Sequence, residues 1–380
     1  MKRAALFLAV VLLLTVPIRA AGPEVEGKSA CLMDVATGTV LYEKNPSEPL
    51  APASVTKVMT MLLIMEAIDS GKISWDDTVT ASEAAAAKGG SQVYLKVGET
   101  MTVRDMLKSI AVSSANDCAC AMAEHLAGSE GAFVEQMNRR AQELGMTSTH
   151  FVNCTGLDDA PEAKEHRTSA GDIAVMSREL LKNHPDIKQF TTIWMDTIRG
   201  GAFGLSNTNK MVRFYPGATG LKTGFTSGAG YCLSASAQRE GMELVAVVMG
   251  AKTSQARNAA CKELLDYGFA NFAVIAPELS DVPGVPVKLG KQDTVSAALG
   301  EATGLLIDKA QKSSVTTQVS LEERVTAPVT RGQQIGTLSI KSGEQTLRQI
   351  PLVAAEGVER LTTGDLFVKV LRKAAMAKDA

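Results

Sequence analysis

The chain has 380 residues, which is enough for two domains with a large core. Its 39 basic and 41 acidic side chains give a formal net charge of −2, and aromatic residues make up 4% of the sequence. Proteins that bind nucleic acid usually carry a basic excess or a basic stripe interleaved with aromatic residues, so this composition argues against that class.

The first 21 residues have the pattern of an export signal. Two basic residues precede an apolar run over residues 4–16, and small residues follow at Ala20 and Ala21. The run is short for a transmembrane helix, and an uncleaved N-terminal anchor is the alternative. We expect residues 1–21 to be a signal peptide and the protein to be exported, to the periplasm, the cell wall or the extracytoplasmic face of the membrane.

The stretch from Ala51 to Gly71 predicts a helix at the centre of the fold. Residues 58–68 are apolar on nearly every side, which is typical of a helix that is buried all round. Polar residues are confined to the first turn, where Ser54 and Lys57 lie three positions apart and therefore share one face. The hydroxyl is a nucleophile beside a base, provided that desolvation or a second cation lowers the pKa of the lysine. Alone, a Ser-x-x-Lys spacing is weak evidence, because it recurs by chance in a chain of this length.

The segments around this helix predict an antiparallel sheet covered by helices. Strand-like runs form a hairpin over 29–43 and three further strands over 220–226, 231–237 and 243–249. Helical patterns occupy residues 102–126, 129–144, 169–183 and 256–269. The first of these is interrupted at 113–116 by short polar residues, and the break presents Ser114 and Asn116 in a turn.

Three further segments have patterns of their own. The loop over residues 156–167 contains four acidic residues, Asp158, Asp159, Glu162 and Glu165. We interpret it as a solvated acidic loop rather than a catalytic carboxylate pair. Residues 273–361 have proline punctuation and short alternating runs, which predict a small β domain. Within 362–380, an amphipathic pattern over 365–377 predicts a helix that either lies on an anionic membrane surface or packs on the β domain.

Cysteine and histidine positions favour neither disulfides nor metal binding. The cysteines lie inside apolar, regular segments, so we predict buried free thiols at Cys31, Cys118, Cys120, Cys154, Cys232 and Cys261. There is no Cys-x-x-Cys pair, and the four histidines show no ligand spacing. We therefore expect neither a metal nor another cofactor.

Three short motifs follow one another along the chain: Ser54-Val55-Thr56-Lys57, Ser114-Ala115-Asn116 and Lys222-Thr223-Gly224. Together they match the Ser-x-x-Lys, Ser-x-Asn and Lys-Thr-Gly set of the penicillin-binding proteins and serine β-lactamases. From residue 25 onward the chain resembles one branch of that superfamily, the low-molecular-mass D-alanyl-D-alanine carboxypeptidases. The likeness rests on SVTKVMT at 54, SSANDCACAMAEHLAG at 113, GLDD at 156, HRTSAGDIA at 166, GLKTGFTSGAGYCLSASA at 220 and VAVVMGAKTSQARNA at 245.

The resemblance implies an α+β fold of the serine β-lactamase and penicillin-binding-protein type. A catalytic domain with an antiparallel sheet covered by helices would span residues 22–272, and a small all-β domain would follow over 273–361. The implied activity is a serine-type carboxypeptidase that removes the terminal D-alanine from peptidoglycan stem pentapeptides. The implied partners are stem peptides ending in D-Ala-D-Ala and β-lactam antibiotics as inhibitors, and the implied process is cell-wall biosynthesis, remodelling and cell shape.

The resemblance also implies a role for each motif residue. Ser54 would attack the peptide carbonyl, Lys57 would take its proton, and Ser114 would relay that proton to the departing D-alanine. The positive end of the helix and Lys222 would keep Lys57 neutral. The backbone N–H groups of Ser54 and Phe225 would form the oxyanion hole. The residues assigned to substrate binding are Asn116, Lys222, Thr223, Gly224, Phe225 and Arg257, with Thr223 and Arg257 suited to a terminal carboxylate.

One position departs from the family pattern, and two other functions compete. Phe225 stands where some members have histidine, which puts substrate preference in doubt rather than catalysis, because the backbone N–H is the group used. A class A β-lactamase would need a deacylating Glu-x-x-Leu-Asn motif, which is missing after Asn116, and would lack the last domain. A catalytically inactive wall-binding protein would not require an intact Ser54 and Lys57.

Overall fold

A computed structural model describes residues 22–279, 281–301 and 304–368. The predicted signal peptide and most of the predicted tail helix therefore lie outside the described residues. Within these ranges, no helix is long and apolar enough to cross a membrane.

The described strands, in chain order, are β1 (Ser29–Asp34), β2 (Val40–Lys44), β3 (Thr78–Thr80), β4 (Thr100–Thr102), β5 (Met195–Ile198), β6 (Phe203–Ser206), β7 (Ala218–Thr226), β8 (Gly230–Arg239), β9 (Met242–Ala251), β10 (Phe272–Ile275), β11 (Val285–Lys288), β12 (Thr294–Val295), β13 (Ala297–Leu299), β14 (Leu305–Asp308), β15 (Val315–Leu321), β16 (Val325–Thr326), β17 (Gln334–Ser342) and β18 (Gln345–Ala354). The described α-helices are α1 (Lys57–Asp69), α2 (Glu83–Ala86), α3 (Val103–Ser113), α4 (Asn116–Ala127), α5 (Glu130–Glu143), α6 (Ala170–Asn183), α7 (Lys188–Thr191), α8 (Met211–Phe214) and α9 (Ser254–Asn271).

A five-stranded antiparallel sheet in the order β2-β1-β9-β8-β7 lies between two layers of helices. Because successive side chains of a strand point to opposite faces, the central strand β9 supplies both cores. Val245, Val247 and Met249 join the core of α1, α3, α4 and α6, and Leu244, Ala246 and Val248 join the core of α9. The predicted hairpin, the three later strands and the α+β class are confirmed.

Helix α1 runs through the middle of the larger core. Nine of its 13 residues are buried, and α3, α4, α6 and β7 surround it. A helix with apolar residues on all sides requires such a position, since no face of it suits water. The predicted central helix is therefore confirmed, as is the break between α3 and α4.

After α9 the chain forms β structure with two small cores of its own. Strands β13-β18-β17-β15 form one sheet, β12-β11-β16 a second, and β10 pairs with β14. This confirms a small β domain after the helical and sheet layers. Its predicted boundary, next to the start of β10, stays a prediction. All six cysteines are buried free thiols, as the sequence predicted.

Candidate active site

Ser54 lies in a single turn of 3-10 helix, Ala53–Thr56, and Lys57 is the first residue of α1. Side chains three residues apart eclipse each other in a 3-10 turn, which has three residues per turn. The Nζ atom of Lys57 is 2.9 Å from Oγ of Ser54, as the motif spacing predicted. Lys57 also donates a hydrogen bond of 2.8 Å to the carbonyl oxygen of Thr155.

The environment of Lys57 favours the neutral amine. Its side chain is completely buried, and this burial is the largest effect on its pKa, which falls from 10.5 to about 7. Charges on Cys154 and Asp117 would act in the opposite direction. Of the two causes that the sequence analysis allowed, desolvation and a second cation, desolvation is the main one, and the charge of Lys222 is not among the causes. A lysine with a pKa near neutrality is a competent general base.

The contacts of Thr56 and of Gly156 fix the geometry of the turn that carries Ser54. Thr56 donates its hydroxyl proton to the carbonyl of Ala53 at 2.8 Å and lies 2.8 Å from Nε2 of His166. His166 Nδ1 accepts the backbone N–H of Val152, so Nε2 carries the proton, and burial lowers the pKa of this ring to about 4. Gly156 has a φ of +82°, and a Cβ there would lie 1.8 Å from the carbonyl oxygen of Ala53. Only glycine permits that contact.

The carbonyl that faces Lys57 is held by its own segment of chain. Asn153 Oδ1 accepts the backbone N–H groups of Thr155 and Gly156 at 3.1 and 2.7 Å. The preceding carbonyl, that of Cys154, accepts the hydroxyl of Thr60 at 2.7 Å. The segment is thus held to α1 through Cys154 and by the Asn153 side chain on both sides of Thr155, which fixes the position of the acceptor of Lys57.

Ser114 and Asn116 occupy the turn between α3 and α4. Ser114 has a φ of +63° in the left-handed region, an uncommon conformation for serine that is often found at functional sites. Asn116 donates from Nδ2 to the carbonyl of Gly89 at 2.7 Å, and its Oδ1 is buried without a hydrogen-bond partner. Because a buried unpaired acceptor is costly, Oδ1 is a group that an N–H donor of a ligand would satisfy.

The Lys222-Thr223-Gly224 motif lies on the edge strand β7, which packs on the Ser54 turn. Lys222 is buried and donates to the carbonyl of Thr223 at 2.9 Å, while the Thr223 hydroxyl donates to Thr208 Oγ1 at 2.7 Å. A Cβ on Gly224 would lie 2.7 Å from the carbonyl oxygen of Pro52 and 3.1 Å from the backbone nitrogen of Ser54. The glycine therefore allows β7 to approach the Ser54 backbone closely.

Phe225, Tyr231 and Arg257 form a stack next to this motif. The Phe225 ring is 55% exposed and lies 4.3 Å from the Tyr231 ring, whose other neighbour is the Arg257 guanidinium at 5.9 Å. Arg257 extends from the first turns of α9 and donates to the carbonyl of Cys232 at 3.4 Å. Phe225 keeps its backbone on β7 beside Gly224, where its N–H can serve an oxyanion.

The site contains three buried basic side chains and no carboxylate that pairs with them. Lys57, Lys222 and Arg257 are all buried, and none of the ion pairs among the described residues includes them. Burial lowers the pKa of Lys222 well below its usual value, and the charges of Lys57 and Arg257 lower it further. Burial likewise lowers the pKa of Arg257. Uncompensated buried cations are costly, so this arrangement suits an anionic ligand.

The structure places Lys57 and Gly224 against Ser54, and Ser114 and Asn116 lie in the turn before α4, which packs on α1. Sequence reasoning missed Thr155, Thr208 and His166, whose contacts join distant parts of the chain and leave no local pattern. The acidic loop is confirmed as solvated, because the side chains of Asp158, Asp159, Glu162 and Glu165 are exposed. In the described part of the chain, no group of three His, Cys, Asp or Glu side chains is arranged to hold a metal ion.

Comparison with known families matches both parts of the chain. Residues 17–253 match the family described as D-alanyl-D-alanine carboxypeptidase, and residues 280–360 match the C-terminal domain of penicillin-binding protein 5. The chain is 44% identical to the D-alanyl-D-alanine carboxypeptidase DacF of Bacillus subtilis, over 88% of this chain and 86% of that protein. It is 34% identical to DacC of Escherichia coli, over 92% of this chain and 87% of that protein.

Solved structures show the same similarity. Penicillin-binding protein 5 from Haemophilus influenzae superposes with a TM-score of 0.72 at 29% identity, covering 90% of this chain and 100% of that one. Penicillin-binding protein D2 from Listeria monocytogenes, solved in an ampicillin-bound form, superposes with a TM-score of 0.59 at 32% identity. That comparison covers 64% of this chain and 98% of the Listeria chain.

Proposed function

Because the chain belongs to the D-alanyl-D-alanine carboxypeptidase family, we propose that it removes the terminal D-alanine from peptides ending in D-Ala-D-Ala. The observation that carries this proposal is the buried amine of Lys57, whose pKa is about 7 and which lies 2.9 Å from the Ser54 hydroxyl. A neutral amine at that distance activates serine for attack on a carbonyl.

The reaction proceeds through an acyl-enzyme. Lys57 accepts the Ser54 proton as Oγ bonds to the carbonyl carbon of the penultimate D-alanine. The backbone N–H groups of Ser54 and Phe225 stabilise the oxyanion. Gly224 allows β7 to lie close enough to the Ser54 turn for both groups to reach it. Ser114 then passes the proton to the nitrogen of the departing D-alanine as the C–N bond breaks. A water molecule, deprotonated by the same lysine, hydrolyses the ester and restores Ser54.

The buried cations account for the preference for a chain end. The carboxylate of the terminal D-alanine supplies a negative partner for Lys222 and Arg257. The Thr223 hydroxyl donates to it when its proton turns away from Thr208 Oγ1. Asn116 Oδ1 accepts an N–H of the substrate backbone. An internal peptide bond offers no carboxylate at this position, so it gains none of this stabilisation.

A β-lactam would use the same groups, because it also presents a carboxylate and a reactive carbonyl. The Listeria neighbour was solved with ampicillin and with cefotaxime bound, which supports the proposal that penicillins acylate Ser54 here. Within the described residues no carboxylate forms a hydrogen bond with Ser54 or Lys57. A class A β-lactamase would need a glutamate there to activate the deacylating water, so this observation disfavours that alternative.

The physiological substrate that fits this chemistry is the peptidoglycan stem pentapeptide. The protein would act outside the cytoplasm, in cell-wall remodelling and the control of cell shape. Residues 363–368 form a helix in which Leu366, Phe367 and Val368 are exposed. Exposed apolar residues at this position support a membrane-surface role for the tail.

We predict that Ser54→Ala abolishes both D-alanine release and labelling by a fluorescent penicillin, because no acyl-enzyme can form. Lys57→Ala should fold and lose at least ~10²-fold in acylation rate, the scale of general-base catalysis. Stopped-flow acylation and D-alanine release on purified protein measure both effects, with Lys164→Ala, an exposed lysine of the acidic loop, as the matched control. Normal labelling of the Ser54→Ala protein would exclude Ser54 as the nucleophile.

Loss of a carboxylate contact should affect acids more than amides. Thr223→Val or Arg257→Ala should lower kcat/KM for a peptide with a free C-terminus by about 10-fold or more, since hydrogen bonds to charged groups contribute about 1.5–3 kcal/mol. The same peptide with an amidated C-terminus should lose less, because it has no charge to pair. Equal losses on the acid and the amide would rule out this carboxylate site.

The tail makes a separate prediction about membrane binding. Protein that ends at Gly364 should no longer float with anionic vesicles at low salt. It lacks the apolar and basic residues of the predicted helix over 365–377. Its activity on a soluble peptide should remain, since the site residues all precede Phe272. Failure of the full-length protein to float, or unfolding of the shortened protein, would favour a tail that packs on the β domain.

A further inference from the structure

Glu130, the first residue of α5, contacts two segments that each lead to a catalytic motif. Its Oε2 atom forms an ion pair of 2.6 Å with Lys88, and its Oε1 atom accepts both the backbone N–H and the thiol of Cys154 at 3.2 Å. The thiol of Cys120 lies 3.9 Å from Oε2. Sequence analysis gave Glu130 no role, and the mechanism above does not use it.

The contact with Cys154 leads to the general base. Cys154 is followed by Thr155, whose carbonyl accepts the hydrogen bond from Lys57. By accepting both the N–H and the thiol of Cys154, Glu130 fixes the position of this residue. A shift of Cys154 would move the Thr155 carbonyl with it, because consecutive Cα atoms are joined at a fixed distance of about 3.8 Å.

The contact with Lys88 leads to the Ser-x-Asn turn. Lys88 is followed by Gly89, whose carbonyl accepts the hydrogen bond from Asn116 Nδ2 at 2.7 Å. The backbone N–H of Asn116 donates to the carbonyl oxygen of Ser91 in the same segment, also at 2.7 Å. The ion pair with Glu130 therefore anchors the segment that orients the Asn116 amide and leaves its Oδ1 free for a ligand.

The contact with Lys88 favours the charged form of Glu130. Burial by itself would raise the pKa of Glu130, but the hydrogen bond and the charge of Lys88 outweigh burial and lower it. The side chain of Glu130 is 22% exposed, and that of Lys88 is 24% exposed. The pair is thus shielded enough from water for its geometry to be defined.

We propose that Glu130 is a positioning residue, which holds Lys57 through Cys154 and Thr155, and Asn116 through Lys88 and Gly89. The proposal rests on the proposed function, because it assigns Glu130 to the acylation of Ser54. One carboxylate thereby sets the relative placement of the general base and of the group that binds the substrate amide. A purely structural glutamate at the start of α5 would stabilise the helix without affecting either motif.

The test compares variants that break one connection or both. Lys88→Met breaks only the connection to Asn116, and Glu130→Ala breaks both. Glu130→Gln keeps an oxygen for the Cys154 N–H but loses the charge that faces Lys88. Glu179→Gln is the matched control, since Glu179 is similarly shielded and forms a 2.7 Å ion pair with Arg140 that touches neither motif. The concentration dependence of acylation by a fluorescent penicillin gives the dissociation constant and the limiting rate separately, and Tm is measured for each variant.

We expect Glu130→Ala to lower the limiting acylation rate by about tenfold or more and to weaken penicillin binding, since misplacement of a catalytic group by ~1 Å can cost ~10²-fold. Lys88→Met and Glu130→Gln should weaken penicillin binding and keep the limiting acylation rate within about threefold of wild type. Lys88→Arg keeps the positive charge and should bind penicillin like wild type. Glu179→Gln should match wild type in both constants.

Several outcomes would overturn the proposal. One is a folded Glu130→Ala protein with the wild-type dissociation constant and limiting acylation rate. Another is a set of variants whose losses in binding and rate simply parallel their losses in Tm. If Glu130→Ala does not fold, wild-type binding by Glu130→Gln would overturn it instead. A wild-type protein that forms no acyl-enzyme would contradict the proposed function itself, before any variant is compared.

Discussion

The removal of the Lys57 amine from water is the constraint on which the rest of the site depends. A lysine at the surface would be protonated at neutral pH and could not take a proton from serine. Here the apolar surroundings of α1 exclude water, and the amine has only a hydroxyl and a carbonyl oxygen as partners. Both partners need exact placement, which the Thr56–His166 contact, Gly156 and the Asn153 side chain provide.

The same burial explains how the site selects its ligand. The buried basic groups Lys222 and Arg257 have no carboxylate partner, and keeping them charged reduces the stability of the free protein, because desolvated charge is costly. In the proposed function, a ligand carboxylate would recover that free energy when it enters the space beside β7. A carboxylate held by Thr223 and Arg257 would place the preceding carbonyl near Ser54, which would link binding energy to the position of the scissile bond. Proteins commonly accept a cost in stability of this kind at functional sites.

Much of this arrangement follows from local sequence, and the remainder depends on long-range contacts. The apolar run over 58–68 indicated α1, alternating residues indicated β7 to β9, and the order of three motifs indicated the chemistry. The turn of Ser54 was not recognised as 3-10 helix, since a spacing of three suits that helix and an α-helix alike. Thr155, Thr208 and Glu130 could not be identified, because each acts through a partner far away in sequence. Their neighbours in the chain have no periodicity that reports such contacts.

The pH dependence of Ser54 acylation tests the central claim, that burial makes Lys57 a neutral base. The rate of acylation by a fluorescent penicillin is measured between about pH 5 and about pH 9, with protein stability monitored over the same range. Because the pKa of Lys57 is lowered to about 7, the amine is protonated below that pH and neutral above it. The account predicts a rate that rises about tenfold per pH unit on the acid side and levels off above neutrality. A rate that still rises at the alkaline limit, as an ordinary lysine would give, or a rate independent of pH would contradict it.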